Sequence, residues 1–306
     1  MFMSSQVYKI EDFDLSSSEL DELLSQFYFR NMTPAQTTSN GWVSPYGEEL
    51  SDESLVRTVD DRHVMTFKMA EKKLNKKIVD EQVVLRFQEL KKSPTGPQKL
   101  DKKLRKELSD SIKTELLPQQ KPESKCTNIY IDSKQGYLVV EGTNAKKAEA
   151  IITLLKRAFE AADKDFKISS FSTVDSVTTV ITNWFKDETI IPSEIELGSK
   201  CTLSGQEGQV VKYDKHELSE EKLKAYIIQD AMDVAELQIN YDETVSFNLA
   251  SDLSIRGVKL LEGSETKFGA DEYEDSWDAS FVIISGIIGD LFPKILDWFG
   301  GEAPSN

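Results

Sequence analysis

The chain has 306 residues, with 37 Lys and Arg against 53 Asp and Glu for a formal charge of −16 at pH 7. With 39% hydrophobic and 29% charged residues, that balance excludes a disordered polymer and fits a soluble globular protein long enough for two or three subdomains. Cys126 and Cys201 are too few for a disulfide framework and fit no zinc spacing, which points to a reducing cytoplasm.

Met1 to Glu11 lacks the basic and apolar blocks of a secretory signal, and Ser5 to Ile10 predicts a first strand. Ser16 to Phe29 predicts a helix with Ser16, Ser17 or Ser18 as its cap. Gly41-Trp42-Val43-Ser44-Pro45-Tyr46-Gly47 is expected as a turn, and Val64 to Met69 as a strand. A helical hairpin is expected next, from about Lys68 to Lys92 and from Lys99 to Leu117, broken at Ser93-Pro94-Thr95-Gly96-Pro97 and stopped at Pro118. Thr127 to Ile131 and Tyr137 to Val140 read as a β-hairpin around Asp132 to Gly136. Helices follow over Thr143 to Ala161, capped by Thr143 or Asn144, and over Val174 to Phe185.

From Glu194 to Leu260 the signals are mainly short strands: Cys201 to Leu203, Gln209 to Tyr213, Val234 to Tyr241 and Thr244 to Leu249. A short helix, Leu218 to Gln229, interrupts them with Ser219 as cap. Glu262 to Asp278 is an acidic link. Phe281 to Phe299 is apolar enough to resemble a membrane span, but Asp290, Lys294 and Asp297 interrupt it, and Pro293 would kink it. A buried C-terminal strand and helix is expected there, and no membrane association.

The charge is unevenly placed. Lys68 to Lys125 holds sixteen Lys and Arg against nine Asp and Glu, inside a strongly acidic chain. A positive element in a negative protein points to a polyanion, with DNA as the first candidate. Leu100, Leu104, Leu108, Ile112 and Leu116 recur every fourth residue and wind along one helical stripe. At about 100° per residue, Lys99, Lys102, Lys103, Lys106 and Lys113 fall on the opposite face, roughly 200° to 300° from Leu100. A run of lysines on a helix is also what a solvated face looks like. Here the face is nearly all one sign, and lysine suits sequence-independent phosphate contact better than base readout.

Several short motifs occur in a shared order: Gly41-Trp42-Val43 with Pro45 and Gly47, Leu116-Leu117-Pro118, Tyr130-Ile131-Asp132 with Gly136, and Ala145-Lys146-Lys147-Ala148-Glu149. Later come Trp184, Leu197-Gly198 with Cys201, Gly208 with Val210-Val211-Lys212, Leu218-Ser219-Glu220-Glu221, Asp278-Ala279-Ser280-Phe281 and Gly300-Gly301-Glu302. In this order the chain resembles, over essentially its whole length, the recombination-associated protein RdgC family. The resemblance implies an α+β fold with a central body, a helical arm and a small β-rich tip, closing as a ring-shaped homodimer. On this chain the body maps to 1–67 and 126–192, the arm to 68–125, the tip to 193–260, and the acidic link with the C-terminal strand and helix to 261–306. It further implies a non-enzymatic, cytoplasmic protein of the bacterial nucleoid that needs no cofactor. Such a protein encircles double-stranded DNA without sequence preference and restrains the RecA recombinase.

The DNA-contacting set expected on this chain is Lys99, Lys102, Lys103, Lys106 and Lys113 on the arm, with Lys91, Lys92, Lys212 and Lys215 contributing. The tip departs from the family pattern: Asp214 stands among its basic residues, and Asp230, Ala231 and Glu236 fall where lysines are usual. Two other readings remain open. The acidic remainder fits a protein that acts mainly through protein partners or as a DNA mimic. The triplets Glu71-Lys72-Lys73, Glu89-Leu90-Lys91 and Glu123-Ser124-Lys125 fit a loose Glu-x-Lys pattern of metal-dependent exonucleases. His63 and His216 are expected to be structural or exposed.

Overall fold

Successive side chains on a strand point to opposite faces, and in the middle of this protein both faces are buried. On β5 (Glu123–Asp132), Ile129, Tyr130 and Ile131 are all buried. The computed structural model describes residues 2–46, 54–214, 225–227, 231–262 and 277–304. Its core is a twelve-stranded, antiparallel sheet. The helices α1 (Ser17–Ser25) and α4 (Ala145–Ala161) cover one face, over Met65, Phe67, Ile129 and Leu138. On the other face, Val64, Tyr130 and Val139 belong to a second core with α5 (Val177–Lys186) and α6 (Trp277–Trp298). The class is α+β.

The order across the sheet is β2 (Thr38–Val43), β4 (Arg62–Glu71), β5, β6 (Tyr137–Glu141), β1 (Ser5–Glu11), β12 (Ile255–Leu260), β11 (Val245–Ala250), β10 (Asp233–Tyr241), β8 (Ile195–Ser204) and β9 (Val210–Tyr213). Off this path, β3 (Val56–Val59) pairs with β4, and β7 (Lys167–Ser170) with β1. β1 is the seam: one edge pairs with β6, whereas the other is shared between β7 and a single register pair, Ser5 to Ile255, on β12. The strands from 193–260 therefore continue the sheet of the body. Across the seam, Phe2 packs edge-on against Tyr130 and Phe281, and its N–H donates to Glu141 Oε1 at 3.0 Å.

Several expected elements change. α1 ends at Ser25, before the expected Phe29, because Phe27 and Phe29 exchange backbone hydrogen bonds with Trp42. The expected turn at Gly41 is strand β2. A Cβ on Gly41 would stand 2.5 Å from the backbone of Phe29, so this glycine serves a close chain approach. β4 runs through Lys68 to Glu71, so the first arm helix, α2 (Lys76–Lys91), starts later than expected. The C-terminal strand and helix are instead one helix, α6, with Pro293 inside it. Among the described residues α6 is long and apolar enough to cross a membrane, yet Phe281, Ile288, Phe292 and Ile295 are fully buried against the sheet. Most of the expected helix Leu218 to Gln229, together with His216 and most of the acidic link, lies outside the described residues.

The arm leaves the sheet from the extended ends of β4 and β5, and a buried lysine fixes its root. Lys72 Nζ donates to the carbonyls of Pro34 (2.9 Å) and Pro118 (3.2 Å), and its N–H donates to Thr37 O at 2.9 Å. Pro118 closes the returning helix, so this ammonium ties the arm to the loop before β2. Replacing Lys72 by Met keeps the stem but strands two carbonyls. The expected loss is about 1–3 kcal/mol of unfolding free energy, read by urea denaturation, with faster limited proteolysis within the arm. Unchanged stability and cleavage would show that Lys72 does not hold the root.

Candidate nucleic-acid interface

The arm is a hairpin of α2 and α3 (Lys102–Leu116). Asn75 caps α2 by accepting from the Lys77 N–H, and Asp101 caps α3 by accepting from the Leu104 N–H at 2.8 Å. Between the helices lies a small core of Val79, Val83 and Ile112, flanked by Leu74, Leu100, Leu108 and Leu116. Leu100, Leu108, Ile112 and Leu116 of the stripe read from the sequence thus form the inner face, while Leu104 is half-buried outside this core. Both arginines of the hairpin are used across it: Arg86 pairs with Glu115 at 2.9 Å and Arg105 with Asp80 at 3.0 Å.

The lysines remain outside. Lys102, Lys103, Lys106 and Lys113 are exposed on α3. Lys113 approaches Asp110 at 3.4 Å; the other three form no ion pair among the described residues. Lys102 and Lys103 occupy the first turn of α3, which contains no acid. Positive charge there opposes the helix dipole, so solubility alone gives no reason for this placement.

Sequence spacing put Lys99 on the helix, but the helix begins only after Asp101, and Lys99 belongs to the preceding loop. There it joins Lys91, the last residue of α2, and Lys92, its C-cap. Lys91, Lys92, Lys99, Lys102 and Lys103 therefore gather at the distal end of the arm. Lys113 lies about 16 Å back toward the root at 1.5 Å per residue.

Lys212 is exposed on β9, at the opposite edge of the sheet. Eight strand spacings separate β4 from β9 in the sheet order, roughly 38 Å measured along the sheet. The acid that interrupts the basic tip, Asp214, pairs with Lys200 at 3.3 Å. Lys215 lies outside the described residues.

The sequence pattern did not reveal a second basic group at the arm's root. The register of β4 on β5 places Met69 opposite Lys125 and Glu71 opposite Glu123. α4 then brings Lys146 and Lys147 to the same groove, which Lys73 and Asn144 also line. Two of the three Glu-x-Lys triplets converge here. Lys73 lies 3.2 Å from Glu71 and 4.0 Å from Glu123, so it offsets both carboxylates. The middle residue of the first triplet is the buried root lysine, Lys72. The third triplet is at the far end of α2. Among the described residues there is no group of three or more His, Cys, Asp and Glu suited to hold a metal. His63 is half-buried on β4 within 3.3 Å of Thr58 Oγ1, and burial lowers its pKa. Cys126 is exposed, whereas Cys201 is buried, with its thiol pushed up to about 12 by that burial.

Fold and site together define an α+β protein that carries a lysine-faced helical arm at one side of a single large sheet. The family model described as "Putative exonuclease, RdgC" matches residues 1–302. The recombination-associated protein RdgC of Tolumonas auensis is 26% identical over 311 residues, covering 98% of both chains, and that of Dechloromonas aromatica is 26% identical over 309 residues, again covering 98% of both. The RdgC protein of Halorhodospira halophila is 30% identical over 213 residues, 68% of each chain. The chain belongs to the RdgC family of recombination-associated proteins.

Because Lys102, Lys103 and Lys106 lie outside the hairpin core, reversing their charge is expected to leave the arm folded. Replacing Lys102 and Lys103 by Glu should stabilise α3 by about 0.3–1 kcal/mol per site through the dipole. Circular dichroism and thermal melting check this; a loss of helix or a lower Tm would mean that these lysines hold the structure.

Proposed function

We propose that this protein is a sequence-independent duplex DNA-binding protein of the bacterial nucleoid, acting as a homodimeric ring that encircles DNA and restrains RecA-type recombination. The observation that carries this reading is the division of charge on the arm. Its arginines are held in internal bridges, whereas Lys102, Lys103 and Lys106 have no ion-pair partner among the described residues of a protein of net charge −16. Point charges on one rigid face fit a regular row of phosphates and carry no base information. Lys91, Lys92 and Lys99 extend the contact at the distal end, while Lys212 and Lys215 supply a weaker one at the tip. The separation of arm and tip across the sheet supports a long ligand over a small one. Ile78, Val84 and Leu85 on α2 are about half exposed, at 47%, 46% and 52%, which supports a protein contact at the arm, with a second copy as partner.

The convergence of Glu71, Glu123, Lys73 and Lys125 favours a second reading, a metal-dependent exonuclease. We rank it lower because Lys73 already pairs with Glu71 and lies 4.0 Å from Glu123, where a divalent ion would need both carboxylates free and joined by further oxygen ligands.

The test is duplex binding at several salt concentrations for the parent protein and for a variant with Lys99, Lys102, Lys103, Lys106 and Lys113 replaced by Glu. Phosphate contact predicts a log–log salt slope of about −0.9 per contact, and a loss on the order of 100-fold or more in the variant. Retention on circular but not linear duplex at high salt would mark a closed ring. Failure of the parent to bind at low salt would overturn the DNA reading, and shortening of end-labelled duplex with magnesium or manganese would favour the exonuclease.

A further inference from the structure

The groove at the arm's root concentrates positive charge from separate parts of the chain. Lys73 follows β4, Lys125 lies on β5, and Lys146 and Lys147 open α4; with Glu71 and Glu123 they give four lysines against two glutamates around one depression. Lys73 is taken by the glutamates. Lys125, Lys146 and Lys147 form no ion pair among the described residues. The nearby Glu141 carboxylate already accepts from the Phe2 N–H and from the N–H and Nδ2 of Asn128.

Three physical terms oppose this cluster in the free protein. Lys147 is partly withdrawn from water and faces Lys125, and both effects lower its pKa against the smaller opposing pull of Glu141. Lys146 and Lys147 also stand in a first helical turn that contains no acid, against the helix dipole. An anion in the groove would relieve all three. The groove also adjoins the arm, because β5 begins just after the short turn that ends α3.

We infer that Lys125, Lys146 and Lys147 form a phosphate-binding site on the body, a second contact that takes the DNA backbone where it passes the root of the arm. This rests on the DNA reading above and adds to it a contact outside the arm and tip. The charge of the duplex is then held on two non-collinear elements, which fixes the angle between DNA and sheet.

The experiment compares three forms of the full chain on the same duplex across a salt series: the parent, the arm variant described above, and a root variant with Lys125→Gln, Lys146→Gln and Lys147→Gln. The root variant is expected to bind at least tenfold more weakly near 0.1 M salt, and its salt slope to be shallower by about 2–3. Its Tm should be equal to or above the parent's, since the substitutions remove charge that opposes the helix. A root variant with parental affinity and slope overturns the proposal while the arm reading stands, provided that the parent binds and the arm variant does not. A parent that fails to bind overturns both. A lowered Tm in the root variant would assign these lysines to structure and also overturn the site.

Discussion

The position of the arm depends on its root. Among the described residues, the buried core between α2 and α3 is Val79, Val83 and Ile112, too few to order a segment of this size alone. What aims the hairpin is the continuous pairing of β4 with β5, unbroken from His63–Ile131 to Glu71–Glu123, together with the Lys72 ammonium held by two proline carbonyls. This ribbon makes the lysine face an extension of the sheet.

Charge is segregated by chemistry as well as by position. The guanidinium groups of Arg86 and Arg105, whose planar forks suit carboxylates, close the hairpin at Glu115 and Asp80. Elsewhere in the protein arginine plays a similar internal part: Arg62 joins Asp132 at 2.9 Å, and Arg256 joins Glu236 at 2.7 Å. Glu236, expected from the resemblance to stand where the family carries lysine, is here a structural partner of Arg256. Among the described residues the ammonium groups of Lys102, Lys103 and Lys106, compact and strongly hydrated, stay outside these bridges. A chain so acidic overall would repel stray polyanions, and it confines attraction to the surfaces where lysine is unopposed.

Much of this was legible in the sequence, for identifiable reasons. The four-residue spacing of Leu100 to Leu116 gave most of the inner face of the second arm helix, and the cap candidates Ser16, Ser17 or Ser18 and Thr143 or Asn144 bracketed helix starts that the structure caps at Ser16 and Asn144. The β5–β6 hairpin followed from two apolar runs around Asp132 to Gly136. What escaped depends on contacts distant in sequence. Gly41 read as a turn residue because its need for a bare backbone arises only when Phe29 lies across it. β3, β7 and β12 are short strands whose pairing partners define them. α6 read as strand plus helix because Pro293 and the interrupting charges obscured one continuous core helix. The root groove exists only through the register of β4 on β5 and the placement of α4. No spacing rule joins Lys125 to Lys147.

The most direct measurement of the central claim is lysine reactivity, by quantitative acetylation of the full-length protein with and without saturating duplex DNA. The account predicts strong protection of Lys102, Lys103, Lys106 and Lys113, with Lys134 and Lys167, on the β5–β6 turn and β7, modified equally in both samples. Equal modification of the arm lysines with and without bound duplex would contradict it.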